Sequence, residues 1–238
     1  MVDDLTLIAG VDIPIADGVV IKQPTLRSLC TPDVGEARYS MYVSIFDLTT
    51  ADVFGGENAT LPQEILEHLH IFDVLNGIDD HRQILLDALK FFTGEDVTYS
   101  KADLACHLSG GGIITRDVFD AIAPVVLQIN CVQRKRDTAK SYANKRAKKI
   151  FEKIQNAKEK QKHHGKSDPN YTISNIVSKL SSKHPSYNLL NIWDLTIYQL
   201  YDQFACTCLN NQLSVIGLRW AAWGKEDFDF SQWYKKQS

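Results

Sequence analysis

No apolar run in the chain approaches the ~20 residues that a helix needs to cross a bilayer, so a membrane-spanning helix is not what organises it. Its opening, MVDDLTLIAG, is acidic where a secretory leader would be basic, and a cytosolic protein is expected. Cysteine is sparse and scattered. Cys30, Cys106, Cys131, Cys206 and Cys208 are an odd set without paired spacing, which argues against a disulfide framework and suits a reducing compartment. Sequences of the Gly-x-Ser-x-Gly, His-Glu-x-x-His and Walker types are all missing. His68 and His70 would point about 200° apart on a helix, too far to share a metal ion, and Cys206-x-Cys208 has no second ligand pair near it. Cys106 and His107 are adjacent, which does not by itself align a nucleophile with a base. The expectation is a chain that is not an enzyme and carries no cofactor or metal.

What the sequence does have is an uneven distribution of charge. Between Gln133 and Lys166 there are 13 Lys or Arg against Asp137, Glu152 and Glu159, so this segment carries +10 while the rest carries −13. Within it Ala143, Ala147, Ile150, Ile154 and Ala157 follow a four, three, four, three spacing. That is a narrow heptad-like seam of mostly small residues. A helix from Asp137 to about Gln161 would be ~37 Å long and too polar to be buried all round, so it should protrude. Arg134, Lys135, Arg136, Arg146, Lys148, Lys149 and Lys153 would make it a basic arm. An acidic protein face is the functional partner it suits best. Nucleic acid ranks last, because Tyr142 and Phe151 are too few for a stacking platform.

The remaining elements follow from local signals. Val11 to Ile15 and Val19 to Lys22 flank Asp17-Gly18 and predict a β-hairpin, closed by Pro24, with Thr6 to Ala9 as a short apolar run in the same β region. Helical patterns follow near Thr25 to Leu29, at Asp33 to Leu48 and from Leu61 to Gly77, then again from Asp79 or Asp80 to Phe92 with Gly94 as the stop. Val97 to Tyr99 reads as extended, Lys101 to Leu108 as a further turn or two of helix, and Ser109 to Gly112 as a connection. A helix from Thr115 to about Cys131 contains Pro124, which should kink it. The fold class expected is mainly α with a small N-terminal β-hairpin (α+β). It divides into a helical body over 1–131, the basic helix and hinge over 132–170, and a C-terminal helical unit over 171–238 that packs back on the body.

The strongest local pattern is Ser186 to Phe204. Trp193, Ile197, Leu200, Tyr201 and Phe204 recur at helical spacing, with Asn191 as the expected cap and Leu190 and Leu195 as a staple. So aromatic a face has to be covered by the chain itself or by a partner. Val215 to Trp223 resumes a helical pattern that Gly224 ends, and Trp233 and Tyr234 lie close to the last residue.

Three stretches carry a family resemblance: VVIKQPTLRSL with VGEARYSMYVSIF soon after, SYNLLNIWDLTIYQLYDQF, and AAWGKEDFDFSQWYKK. In that order, with a Lys-rich helix before the second, they resemble bacteriophage tail assembly chaperones and related tail and baseplate proteins. The resemblance implies a non-enzymatic protein in the host cytoplasm that self-associates, coats the tape-measure protein and hands it to the major tail protein as the tube grows. The candidate contact residues it implies are Trp193, Ile197, Tyr201, Phe204, Trp220, Trp223, Trp233 and Tyr234. A component retained in the mature tail or baseplate is the alternative, and nucleic-acid binding through the basic helix the third.

Overall fold

The computed structural model describes residues 2–54, 65, 68–132, 172–224 and 231. The expected basic helix, its hinge and the residues Trp233 and Tyr234 lie outside the described residues. Within them the α+β expectation holds: helices dominate, with a two-stranded hairpin near the N-terminus and a three-stranded antiparallel sheet.

The first element differs from expectation. Asp4–Ala9 is a helix, α1, because the Asp3 carboxylate accepts from the Leu5 amide at 3.2 Å and Gly10 closes the end with φ 68°. A four-residue apolar run without flanking sequence could not distinguish this from a strand. Strands β1 (Ile13–Ala16) and β2 (Val19–Ile21) then form the expected hairpin. Next come α2 (Leu26–Leu29), α3 (Gly35–Ser44) and α4 (Thr50–Phe54).

Helix α5 (Ile71–Gly77) starts at His70, whose Nδ1 accepts from the Phe72 amide at 3.2 Å. Helix α6 (Asp79–Thr93) follows directly and is the centre of the body. Its stripe of Leu85, Ala88, Leu89 and Phe92 is fully buried. Around that stripe aromatic rings from α3 and the turn after it, α5, α6 and α7 meet edge to face, tilted or stacked. Tyr39 of α3 lies 5.7 Å from Phe91, and Phe46 lies 5.8 Å from Phe92. Phe119 joins Phe46 at 5.8 Å and Phe72 at 5.3 Å. Such contacts add ~0.5–1.5 kcal/mol per pair to the burial of the rings themselves. The hairpin is fastened to the same helix where the Lys22 amide donates to the Phe92 carbonyl at 2.7 Å.

Beyond α6 the chain forms β3 (Val97–Ser100), β4 (Ala105–Leu108) and β5 (Ile113–Ile114). The helical expectation for Lys101 to Leu108 is therefore overturned. Leu104, at φ 54°, turns the chain so that Ala105 to Leu108 pairs antiparallel with Ser100 to Val97. The glycine run has a packing role as well. A Cβ on Gly112 would stand 2.2 Å from the Gly18 carbonyl oxygen, so the tips of the two hairpins meet backbone to backbone. Helix α7 (Arg116–Ile129) contains Pro124 as expected and contributes Phe119, Ile122, Val126 and Ile129 to the core.

The C-terminal unit comprises α8 (Ile173–Lys183), a 3-10 turn at Ile192–Asp194 and α9 (Ile197–Trp223). The expected cap at Asn191 is displaced. Asn191 instead holds the preceding loop, accepting from the Asn188 amide at 2.8 Å and donating to the Ser186 carbonyl at 2.9 Å. The helix starts at Thr196, whose hydroxyl accepts from the Gln199 amide while the Gln199 side chain accepts from the Thr196 amide, a reciprocal capping box. This junction is also sewn to the N-terminal segment. The Leu26 amide donates to Leu195 at 2.9 Å, and the Ile197 amide donates to Pro24 at 3.2 Å.

Thr196→Ala is expected to lower stability by ~1–2 kcal/mol in urea unfolding, the cost of a lost N-cap, and Thr196→Ser to restore most of it. Equal losses in both variants would show that packing of the Thr196 methyl, and not the cap, holds the junction.

Candidate protein-binding surfaces

Two apolar surfaces of the C-terminal segment are candidates for contact. The first is a groove of about 280 Å3 between α2, α8 and the 3-10 turn, lined by Leu26, Leu29, Ile173, Val177, Leu189 and Trp193. Its floor is set by the burial of Leu26, Leu29 and Val177, and one edge is fixed where Glu36 accepts from the Ile173 amide at 2.9 Å. Trp193 forms a wall, its Nε1 donating to the Leu189 carbonyl at 2.7 Å. Beside it Leu189 and Leu190 are 60% and 88% exposed. Arg27 and Asp194 pair at 3.0 Å, but both are exposed and such a bridge contributes little.

The second surface is the distal part of α9. This helix is about 40 Å long at 1.5 Å per residue. Only Ile197 and Leu200 are buried on it, and Tyr198, Tyr201 and Phe204 pack half-buried against the core. From Cys206 onward no described residue of the helix is buried, and its last part is mostly apolar. Val215, Ile216, Leu218, Trp220 and Trp223 are 40–72% exposed, and Arg219 is the sole charged residue between Gln203 and Gly224. This is the largest exposed apolar stretch among the large exposed hydrophobics of α9, and it makes the distal helix a candidate contact surface.

The candidate residues therefore separate. Ile197 is fully buried and belongs to the core, so it leaves the contact set. Trp193 lies across a turn from the helix it was expected to join, half-buried at the groove. Tyr201 and Phe204 are half-buried where α9 leaves the body, and Trp220 and Trp223 are exposed on its far part. Trp233, Tyr234 and the basic arm, Arg134, Lys135, Arg136, Arg146, Lys148, Lys149 and Lys153, lie outside the described residues. Val215, Ile216 and Leu218 escaped the sequence reading. The signal for them was the low charge of the segment, which the polar Asn210-Asn211 pair obscured.

The residues that first suggested chemistry have structural occupations. His70 caps α5 and its Nε2 lies 3.0 Å from Asp120 Oδ2. Cys106 and His107 alternate across β4, with the thiol buried beside Asn76 and the imidazole 2.7 Å from Asp103, so they form no nucleophile and base pair. Burial pushes the Cys106 thiol up to about 12. Among the described residues no three His, Cys, Asp or Glu gather as metal ligands, and no helix is long and apolar enough to cross a membrane.

Residues 159–238 match the family model of the YomV second domain, a Bacillus phage-associated family. That supports phage origin. The match covers about a third of the chain and takes in α8, the 3-10 turn and α9 entire, so both apolar surfaces reach into or lie within it. No curated protein matches the chain, and neither does any solved structure.

Two outcomes are expected from this arrangement. Trp193→Ala should cost about half of the ~3–5 kcal/mol typical of a buried tryptophan, because one side of the ring is already open, as read from urea unfolding. Cys106 should resist alkylation at pH 8 until the chain unfolds. The folded state holds this proton above its unfolded pKa, so the stability it contributes is complete below about pH 8.5 and falls as the pH rises beyond that. Rapid native labelling of Cys106 would show that the α5/β4 packing opens readily.

Proposed function

We propose that this phage protein acts without catalysis, by binding other proteins while the tail is assembled. The observation that supports this most directly is α9, a well-capped helix whose buried residues are confined to its first turns and whose last turns expose Val215, Ile216, Leu218, Trp220 and Trp223. A helix end serving only its own stability would not expose five large apolar side chains within nine residues. The groove at Trp193 adds a pocket of the size that takes one or two apolar side chains.

The finer reading is that of a tail assembly chaperone for the tape-measure protein, acting before the major tail protein polymerises. It is supported by the resemblance of the three stretches and agrees with the phage-associated match over 159–238. An extended client with repeated apolar stripes needs weak contacts supplied many times over, which a groove and an apolar arm on each of several copies would provide.

Co-expression with the neighbouring tail proteins of the same phage tests the proposal. The tape-measure protein should co-purify with the tagged chain, and capture should fall when Trp193 is replaced by Asp at the mouth of the groove. Mass spectrometry of purified virions should not find the chain. Its presence there at fixed stoichiometry would replace the chaperone with a structural tail component, and failure to capture any tail protein would overturn the proposal as a whole.

A further inference from the structure

The groove at Trp193 is apolar in all but one respect. Glu36 of α3 lines it together with the leucines, Ile173, Val177 and the indole, and it is the sole charged side chain to do so among the described residues. Its carboxylate is half-buried and accepts from the Ile173 amide at 2.9 Å, which ties it to the start of α8. That bond uses one of roughly four acceptor positions on a carboxylate. Other charges nearby do not compete for the rest. Arg27 and Asp194 satisfy each other at 3.0 Å, and Lys179 and Lys183 of α8 do not line the groove. The flank of α8 that does is edged by the hydroxyls of Ser174 and Ser178.

A carboxylate with spare acceptor capacity at the edge of an apolar groove sets a preference. It repels an acidic visitor and gives a cationic one a charge-assisted hydrogen bond, in surroundings less polar than water. We infer that the groove takes an amphipathic helix of a partner protein, with a leucine or phenylalanine side chain seated beside Val177 and Trp193 and a lysine or arginine against Glu36. The inference rests on reading the groove as a protein-binding surface and states what the bound segment must carry.

The spacing within that segment comes from α8. Ile173, to which Glu36 is bonded, and Val177 stand one turn apart, ~6 Å along the axis. The cation and the apolar side chain of the visitor must be separated by about as much, which positions i and i+4 of a helix provide. An extended segment binds by adding to the edge of a sheet, and the walls here are two helices and a 3-10 turn.

Those walls are already in place. The Trp193 indole is fixed on the Leu189 carbonyl, and the loop before it is held by the side chains of Asn188 and Asn191. Leu189 and Leu190 are exposed at the mouth, where the flank of a seated helix would cover them. Binding therefore orders little that is not ordered beforehand. Glu36 lies between the fully exposed and the fully desolvated case, so its charge should change affinity about five- to tenfold.

Fluorescence anisotropy of the full chain with two dye-labelled synthetic peptides tests the inference. One carries leucines at helical spacing with lysines elsewhere, and the other has glutamate at every lysine. Salt is kept at about 0.15 M to screen attraction between distant charges. The lysine peptide should bind at least tenfold more tightly than the glutamate peptide. Glu36→Gln retains an acceptor for the Ile173 amide and should weaken the lysine peptide about five- to tenfold with an unchanged urea midpoint. Ser178→Lys, at an exposed position of α8, should act in the same direction by placing a cation at the groove, so the test does not hang on one variant. No binding of the lysine peptide, equal affinity for the two peptides, or binding indifferent to both substitutions would each overturn the inference. Capture of tail proteins is measured separately. If Trp193→Asp releases them while the two peptides bind alike, the groove binds protein without this preference and the inference falls alone; if no tail protein is captured while the preference holds, the assembly reading falls instead.

Discussion

The short antiparallel contact between Pro24–Leu26 and Leu195–Ile197 is the constraint on which the rest of the structure depends. Two backbone hydrogen bonds join segments some 170 positions apart in sequence. Around them the Thr196 capping box fixes the start of α9, and the Gln199 side chain donates to the Ile8 carbonyl at 2.8 Å. The ends of the chain are thereby closed onto each other, whatever path the intervening charged segment takes. Loop-closure entropy makes such a contact costly to form, and it persists because Leu26, Leu195, Ile197 and Leu200 are buried beside it.

That junction also shows how much of the molecule was legible in its sequence. Wherever a local rule dominated, the sequence was sufficient: Asp17-Gly18 for the hairpin, Gly94 for the end of α6, the stripe of Leu85, Leu89 and Phe92 for its buried face. The readings failed where a distant partner decided. Nothing in Ala105 to Leu108 announces a strand until Val97 to Ser100 lies alongside, and Ser109 to Gly112 looked like a flexible connection because Gly18 is far away in sequence. Trp193 to Phe204 was read as one helix capped at Asn191 for a related reason. Its apolar residues do keep a helical period, but Leu195 and Thr196 are drawn into the pairing with Pro24 and Leu26, and the chain has to unwind there before the helix can begin.

The candidate surfaces were legible to a similar degree. Trp220 and Trp223 were named as contact residues through the resemblance, and they are exposed. Trp193 was noticed for a face of α9 to which it does not belong, although it does line a groove. Ile197 illustrates the limit of pattern alone, since spacing reports which residues share a face and says nothing about whether that face looks inward or outward.

Mechanically, α9 is a lever. A single uninterrupted helix transmits bending and twisting along its length far better than a loop would, and this one is fastened at its start. A load applied at Trp223 would be felt some 40 Å away at Thr196 and Gln199, where the arm meets its fulcrum. Polar fastenings at that fulcrum join helix, N-terminal segment and α1. A displacement near Trp223 would therefore be carried to the seam that joins the two distant segments.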